Sequence, residues 1–596
     1  MGAPDEVLNI TPDEGDKLRA KALAADAEEL PAGYYTSPRV VCTFISISLT
    51  LLSTYFAFEA SASAISFIIE DIGPSENVSL FSTVWTVSQS ISILLMGRLT
   101  DRFGRRGFIL GTNCVGIIGG IVACTASKFN TMIGAQVLLG LAAGQPGACI
   151  LFIGELMSNK TKFLGNVIVA FPNVIATGFG PYIGQSLGIN GNWRWIFYIY
   201  IIITAVSTVL AFIFYHPPSF AQLHGKKISR RDELLKVDWI GAFFLTAGMT
   251  LFLLGVSWGG SPDPWDSPKI LGLLISGVVS CVVFVLYECY AKIERPIIPM
   301  EFFRDIRGFC CMLLISGVMG SMNTALFIMY PQQVQHIFSS TLSSWQEVAW
   351  MSSTAGFGIW AGIVTLGSLF HIFRHIRWQL IFGSAWVTAF LGAMASVNRH
   401  KKSEAIAFSI CTGFVIGWAE DVTMLLVQFI SSDENLGVTF SVVSATRAIC
   451  GSIFTAAFIS LYTNKFPGQL QSKLVPAVRD AGLPESSIAG LLTAALTGNA
   501  QAIAAIPGMT SNLIQVTNDA VADSYAAAYS YVYYFAMALG VIAIIASACT
   551  KDFDHYLTSH VPHQIYAAKD ADVDLLDSDR STEKVSSSAV TVSEKE

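Results

Sequence analysis

Charged side chains are scarce in this sequence. Asp, Glu, Lys and Arg together make up 13% of the 596 residues, and hydrophobic residues make up 53%, whereas soluble domains carry roughly 25% charged residues. This composition excludes an ordinary soluble domain. The apolar runs also do not alternate in the ten-residue pieces of a membrane barrel. The sequence therefore predicts an all-α polytopic membrane protein.

Paired cysteines and the common catalytic motifs are missing as well. The 11 cysteines lie in or beside apolar runs, and none falls within the long loop 463–525, so disulfides are not expected. The sequence contains no Cys-x-x-Cys pair, Cys/His cluster or Walker loop. We therefore expect no metal site, no cofactor and no enzymatic activity, and the lack of a Walker loop argues against ATP-driven pumping.

Long apolar runs dominate the middle of the chain. A helix needs about 20 apolar residues to cross ~30 Å of hydrocarbon, and runs of that length recur from residue 40 to residue 549. They predict 14 transmembrane helices, at 40–68, 78–97, 107–126, 131–156, 163–188, 194–216, 238–257, 268–290, 308–330, 347–367, 378–397, 405–430, 437–462 and 526–549.

The distribution of Lys and Arg predicts the orientation. In the short loops these residues fall mainly on one side of the predicted membrane, which is the cytosolic side by the positive-inside rule. Both termini are then cytosolic: an acidic tail at 1–39 without a signal-peptide pattern, and a disordered tail at 551–596. The sequon at Asn77 faces outward and predicts glycosylation. We expect the cell membrane as the location, with a vacuolar or vesicle membrane as the alternative.

One loop between two apolar runs has a distinctive pattern, Gly97-Arg98-Leu99-Thr100-Asp101-Arg102-Phe103-Gly104-Arg105-Arg106. Glycine lets two helices approach, the arginines hold the loop in the cytosol, and the aspartate supplies a counter-charge that can make or break ionic contacts. The decapeptide resembles the signature loop of major facilitator transporters. The resemblance implies a conformational role for Gly97, Asp101, Arg102, Gly104, Arg105 and Arg106. The alternative is a basic loop that only follows the charge rule.

A faint internal repeat divides the chain into two halves. The segment from Gly367 to Arg377 keeps the leading glycine, the leucine two positions later and the trailing cations of the first loop. Facilitator carriers consist of two related halves that move about a central site. We therefore expect a six-helix half at 40–216, a linker with two inserted helices at 217–306, and a second six-helix half at 307–550. Its outward loop 463–525 should contain one or two short helices.

Further segments extend the resemblance over roughly residues 40–550. They include 71–77, 154–160, 193–197, 237–241 and 258–260. Together they resemble the fourteen-helix drug:proton antiporters, and most closely the fungal trichothecene efflux pump family. The resemblance implies a proton-coupled carrier that exports a fungal secondary metabolite, toxin or drug. Its partners would be a small organic substrate, protons and the lipid bilayer, without nucleic acid, and it would act as a monomer.

Two other functions remain open from the sequence. Siderophore-iron carriers are relatives of the same family, so uptake of iron chelates or other metabolites is one alternative. A non-transporting sensor built on the carrier fold is the other, because the sequence does not reveal flux or its direction.

The fifth predicted helix carries a weakened antiporter motif. Its segment 176–185 keeps Gly180, Pro181 and Gly184 of the pattern G-x-x-x-G-P-x-x-G-G. Missing side chains and a proline let a helix pack closely and bend, although a purely structural tight crossing is the alternative. In the fourth predicted helix, Gln136 stands where many such antiporters carry an arginine, which puts the common coupling scheme in doubt.

Few titratable residues lie inside the predicted helices, and these are candidates for proton coupling. A charge at mid-membrane costs about 2.5–3.5 kcal/mol on insertion scales. Glu59, Glu420, Asp421 and Arg447 are nevertheless placed there. Glu59 lies on a polar stripe with Tyr55, which favours a cavity-facing position. For Glu59, the alternative is a carboxyl group held by hydrogen bonds to a neighbouring helix. For Arg447 with Glu420 and Asp421, the alternative is a structural ion pair that joins two helices.

Polar and aromatic residues at helical spacing are candidates for substrate contacts. A large amphipathic metabolite is held by aromatic and amide groups. The predicted cavity residues are Tyr55, Trp85, Gln89, Asn173 and Asn323, with Asn166 and Thr177 on the same helical face as Asn173. Each of them could alternatively serve only helix packing.

Overall fold

The computed structural model contains a bundle of long helices. It describes residues 25–26, 34–553 and 560–561, except for 74–77, 79, 145–151, 154–155, 158–160, 218–229, 260–262, 292, 294–295, 339–341, 343, 368, 370–371, 373–374, 431–435, 497–499. Asn77 lies outside the described residues.

The first half consists of nine described α-helices. They are α1 (Pro38–Ser63), α2 (Ile65–Ile72), α3 (Leu80–Phe103), α4 (Arg105–Cys124), α5 (Phe129–Ala142), α6 (Lys162–Ala170), α7 (Val174–Thr177), α8 (Gly180–Ile189) and α9 (Trp195–Phe214). A 3₁₀ turn, Phe171–Asn173, separates α6 from α7. The predicted helix at 163–188 is therefore interrupted. Pro172 and Pro181 lie at the interruptions, because proline lacks the backbone N–H that would donate a hydrogen bond within a continuous helix.

The linker and the second half follow. Their α-helices are α10 (Arg230–Lys236), α11 (Trp239–Trp258), α12 (Pro268–Tyr290), α13 (Cys311–Phe338), α14 (Trp345–Gly362), α15 (Ile376–Met394), α16 (Lys402–Ile430), α17 (Leu436–Asp480), α18 (Glu485–Leu496), α19 (Ala500–Ala504) and α20 (Ser511–Cys549). Short 3₁₀ turns lie at Tyr34–Thr36 and Met300–Arg304, and π turns at Ile306–Cys310 and Ile363–Gly367.

Helix starts follow from local sequence. Ser37 accepts a hydrogen bond from the Val40 amide and precedes Pro38, which is preorganised for the first helical position. Ser267, Pro268 and Ile270 repeat this arrangement at α12. Side-chain caps of this kind satisfy amides that a helix leaves without partners, so each of these boundaries is specified by its own residues.

Eleven described helical segments are long and apolar enough to cross a membrane. Each of the remaining predicted spans, 131–156, 347–367 and 378–397, overlaps a shorter or less apolar helix, namely α5, α14 or α15. The chain is thus a nearly all-helical, multi-pass membrane protein. The number fourteen stays a prediction.

Glycines bring α14 and α16 into backbone contact. A β-carbon at Gly358 or Gly362 would overlap carbonyl oxygens of α16, and one at Gly413 or Gly417 would overlap carbonyl oxygens of α14. Small residues four positions apart on both helices permit close packing where the lipid removes the hydrophobic driving force. This interface holds α14 and α16 in close contact within the second half.

The inserted helices α11 and α12 pack on each other and then against both halves. Ser257 of α11 donates to the Thr83 hydroxyl of α3 over 2.9 Å. Trp265, which follows α11, donates to Ser460 of α17 over 3.4 Å. The pair therefore covers the line along which α3 of the first half meets α17 of the second.

The sequence predicts a loop with one or two short helices at 463–525, and the structure describes two short helices there, α18 and α19. The correction is that α17 and α20 extend into this segment as continuous helices. The 45 residues of α17 extend ~68 Å at 1.5 Å per residue, far beyond the hydrocarbon layer. The end of α17, α18, α19 and the start of α20 form a helical cap with its own apolar core, which includes Phe466, Leu470, Leu474 and Leu491. Arg399 joins this cap to the α15–α16 connection through Asp519 and Asp523.

The two tails meet at one point. Ala25–Asp26 pairs antiparallel with His560–Val561 as a two-residue ladder. The sequence predicts a disordered tail over 551–596, and the structure describes a β-bridge within it.

Candidate functional site

A central cavity lies between the two halves. Helix α1 and the part of the interrupted helix from α6 to α7 line one side, and α13, α14, α16 and α17 line the other. The lining residues are Leu51, Tyr55, Glu59, Asn166, Ala170, Asn173, Thr177, Asn323, Phe327, Ile359, Ile363, Glu420, Asp421, Met424, Phe440, Ser444 and Arg447. All four titratable residues that the sequence predicts for proton coupling are thus brought together.

Glu59 is a buried carboxyl group in this cavity. In the part of the chain that the structure describes, its Oε2 has no hydrogen-bonding partner and no cation forms an ion pair with it. Two serines of α1 join it to the interrupted helix: Ser48 donates to the Val169 carbonyl over 2.9 Å, and Ser63 to the Pro181 carbonyl over 3.2 Å. Tyr55 and Glu59 remain directed into the cavity.

The antiporter-like motif packs directly on the turn that carries Glu59. A β-carbon at Gly184 would overlap the Ala60 carbonyl, and one at Gly180 would lie 3.5 Å from the Glu59 β-carbon. Pro181 supplies the carbonyl that Ser63 binds. The motif therefore determines how closely the interrupted helix approaches the cavity carboxyl group.

Arg447 and Glu420 form an ion pair within the second half. The second carboxylate oxygen of Glu420 accepts from the Asn323 amide at 2.5 Å. Arg447 also hydrogen-bonds the Tyr55 hydroxyl of the first half. Both charges are thus compensated, as a buried pair requires, and the guanidinium links the pair to the opposite side of the cavity.

Asp421 points away from its neighbour Glu420, as expected for adjacent residues 100° apart on a helix. Its Oδ1 accepts a hydrogen bond from the Asn166 amide of α6, so this contact joins the two halves. Its Oδ2 has no hydrogen-bonding partner among the described residues. It lies against Gly367, where a β-carbon would come within 2.6 Å.

The signature loop forms a second contact between the halves. The buried Asp101 carboxylate accepts from the backbone amide of Val438, in the first turn of α17, at 3.1 Å, and pairs with Arg105 at 3.1 Å. A β-carbon at Gly97 would overlap the Ser441 side chain of the same helix. The glycine and the aspartate therefore both contact the opposite half.

The other residues of the loop shape its turn and its surroundings. Gly104 has a φ of 84° between α3 and α4, a conformation that favours glycine. Arg106 donates to the Phe212 carbonyl at 2.6 Å and lies over the Phe212 ring. Arg102 is half-buried at the end of α3.

Two predicted cavity residues lie outside the cavity. Trp85 stacks on Phe58 with ring centroids 4.0 Å apart, and Gln89 donates to the Ala143 carbonyl at 3.5 Å. Both serve packing of α3 because neighbouring elements satisfy their polar and aromatic groups. Gln136 is buried in α5 and does not line the cavity.

The sequence predictions did not include several apolar lining residues. Met424, Phe440 and Phe327 face the cavity, yet nothing in their type separates them from ordinary packing residues. A usable signal is the spacing of Phe440, Ser444 and Arg447 at i, i+4 and i+7, which places them on one face of α17.

Among the residues that the structure describes, no three His, Cys, Asp or Glu side chains gather as metal ligands would.

The fold has a counterpart among solved structures. The human organic anion transporter MFSD10 (TETRAN) matches with a TM-score of 0.51 at 12% identity, over 85% of this chain and 100% of that chain. The chain thus has the fold of a major facilitator transporter.

The family follows from the sequence comparisons. The family model for the fungal trichothecene efflux pump (TRI12) matches residues 2–596. The trichothecene efflux pump TRI12 of Trichoderma arundinaceum is 92% identical over 100% of both chains, and that of Fusarium sporotrichioides is 59% identical over 96% of both. The chain belongs to the fungal trichothecene efflux pump family. It is a membrane efflux transporter of a fungal secondary metabolite, not an enzyme.

Proposed function

We propose that this carrier exports a trichothecene in exchange for protons, by alternating access of the central cavity to the two sides of the cell membrane. The substrate is proposed from the two relatives that carry this name and match nearly the whole chain. The proton coupling is proposed from one observation, a buried cavity carboxyl group at Glu59 for which the described residues supply no counter-ion.

The environment of Glu59 suits reversible protonation. A carboxylate without a counter-ion costs far more to bury than a neutral carboxylic acid. Glu59 is therefore expected to be neutral while the cavity is closed and to lose its proton when water enters from the cytosol. Glu420 differs because Arg447 compensates its charge.

Two contacts between the halves are proposed to break when the cavity opens to the cytosol. One joins Asp101 to the Val438 amide, and the other joins Asp421 to Asn166. In the proposed orientation both lie toward the cytosolic side, where α3 ends and α6 and α17 begin. The asparagine and aromatic groups of the cavity would then receive an amphipathic organic substrate. The carrier would act as a monomer with both termini cytosolic and Asn77 glycosylated.

The test uses reconstituted vesicles with an imposed pH gradient and a panel of trichothecenes. Gradient-driven accumulation is expected in the unchanged protein and lost in Glu59→Gln, while substrate exchange without a gradient persists because the cavity is intact. Glu70→Gln, at an exposed acid on α2, is the matched control and should transport normally. Undiminished gradient-driven accumulation in Glu59→Gln would refute the coupling role. Accumulation in the uptake direction only would refute export.

A further inference from the structure

The two halves contact each other along two lines, and another helix packs over the first line but not over the described residues of the second. Along the first, α3 meets α17, and the inserted helix α11 packs over both. Along the second, the interrupted helix α6–α8 meets α14. On this second line the outward side chains of residues 164–175 remain exposed rather than packed under another described element.

Along the second line, the described residues form a layer one helix thick. Asn166, Ala170, Asn173 and Thr177 face the cavity. Leu164, Ile168, Phe171 and Ile175, on the opposite face, are 44–54% exposed. In a membrane these four apolar side chains contact lipid. The cavity and the bilayer are therefore separated here by one helix and its contact with α14.

A pair of aromatic residues closes this contact at the level of the cavity. The Trp360 indole of α14 donates to the Phe171 carbonyl at 2.9 Å, and the two ring centroids are 5.4 Å apart. Phe171 belongs to the first half and Trp360 to the second. Ala170 faces the cavity next to Phe171, and Ile359 does so next to Trp360, so displacement of the pair would connect the cavity to lipid.

Both helices are irregular beside this pair. Phe171 begins the 3₁₀ turn that contains Pro172, and the π turn Ile363–Gly367 begins three residues after Trp360. Such interruptions loosen the regular hydrogen-bond ladder and occur at positions that move. Near α7, in contrast, a β-carbon at Gly356 would overlap the Thr177 carbonyl, so the helices are in backbone contact there. Local opening is thus favoured at Phe171 and Trp360.

We propose that Phe171 and Trp360 form a lateral gate through which an amphipathic organic molecule dissolved in the bilayer enters the cavity. This inference rests on the proposed function for the nature of the molecule. A compound that partitions into lipid is concentrated next to the gate, and the two rings offer it apolar and aromatic surface. The inserted helices close the corresponding route on the first line.

The gate is tested without substrate or pH gradient, so its outcome is independent of the proposed transport. Ala170→Cys places a thiol in the cavity behind the gate. In lipid vesicles it is exposed either to a long-chain maleimide dissolved in the bilayer or to a sulfonated maleimide in water. Modification of residue 170 is followed by mass spectrometry, which separates it from the native cysteines.

The expected result is a several-fold faster reaction with the lipid-dissolved maleimide when Trp360→Ala is added, and no change with the sulfonated reagent. Trp378→Ala is the matched control, because Trp378 is a lipid-facing tryptophan, 69% exposed, on α15. Equal rates with and without Trp360→Ala would overturn the gate. Equal acceleration by both reagents would overturn it too, since that result indicates general opening to water.

Discussion

Replacing Arg447 by methionine is expected to destabilise the carrier strongly, because it leaves the Glu420 carboxylate in the cavity wall without its cation. The Glu420 side chain is 7% exposed and that of Arg447 is 24% exposed, so the pair is largely removed from water. Breaking such a pair from one side costs about 3–5 kcal/mol. The hydrogen bond that Glu420 accepts from Asn323 limits the loss, so the lower end, about 3 kcal/mol, is expected.

A double-mutant cycle in nanodiscs measures this effect. Arg447→Met, Glu420→Gln and the double variant are unfolded by heat or denaturant, and their free energies of unfolding are compared. The double variant should recover part of the loss, with a coupling energy within the ~0.5–3 kcal/mol found for residues in contact. Transport should stay impaired in all three. Single changes that each cost under about 0.5 kcal/mol and simply add would refute the reasoning.

Three further predictions concern packing and surface charge. In the vesicle flux assay, Gly97→Val should slow transport but leave membrane insertion intact, because the valine side chain would overlap the opposite half. Gly107→Val is the control and should transport normally, because a β-carbon at Gly107 meets nothing within 4 Å. Gly362→Val should lower the free energy of unfolding by about 1–3 kcal/mol through overpacking, and an unchanged melting temperature would contradict the close contact of α14 with α16. The hydrogen bond from Arg194 lowers the pKa of Asp71, so its small stabilisation is present above the unfolded pKa of about 3.9 and is lost as pH falls through the folded pKa. The difference in melting temperature between the protein and Asp71→Asn should therefore shrink below about pH 4, and a constant difference would contradict this.

The intramembrane charges could be found from sequence because their cost makes them stand out. Arg447 has few possible partners within the bilayer, so pairing with the acids at 420 and 421 was predictable before any coordinates. Which acid it pairs with was not predictable. Helix rotation decides that Glu420 turns to Arg447 and Asp421 to Asn166.

Polar residues at helical spacing predicted the cavity-lining residues less well than the intramembrane charges did. Gln89 and Asn173 both carry a carboxamide side chain, yet of the two Asn173 alone lines the cavity. A carbonyl of the α5 region accepts the amide of Gln89. Whether a neighbouring element accepts the hydrogen bond of a polar side chain depends on tertiary packing, which the sequence does not show. The continuation of α17 into the helical cap was not predicted, because Pro467 and Pro476 lie inside it and prolines usually interrupt a helix. The four-residue spacing of Phe466, Leu470 and Leu474 was the signal for its continuation.

The continuity of α17 joins remote parts of the carrier mechanically. Its first turn receives the Asp101 carboxylate, and its far end builds the helical cap. A rod of ~68 Å that tilts at one end must displace the other. An antibody fragment that binds the helical cap would therefore arrest or report the transport cycle without contacting the central cavity.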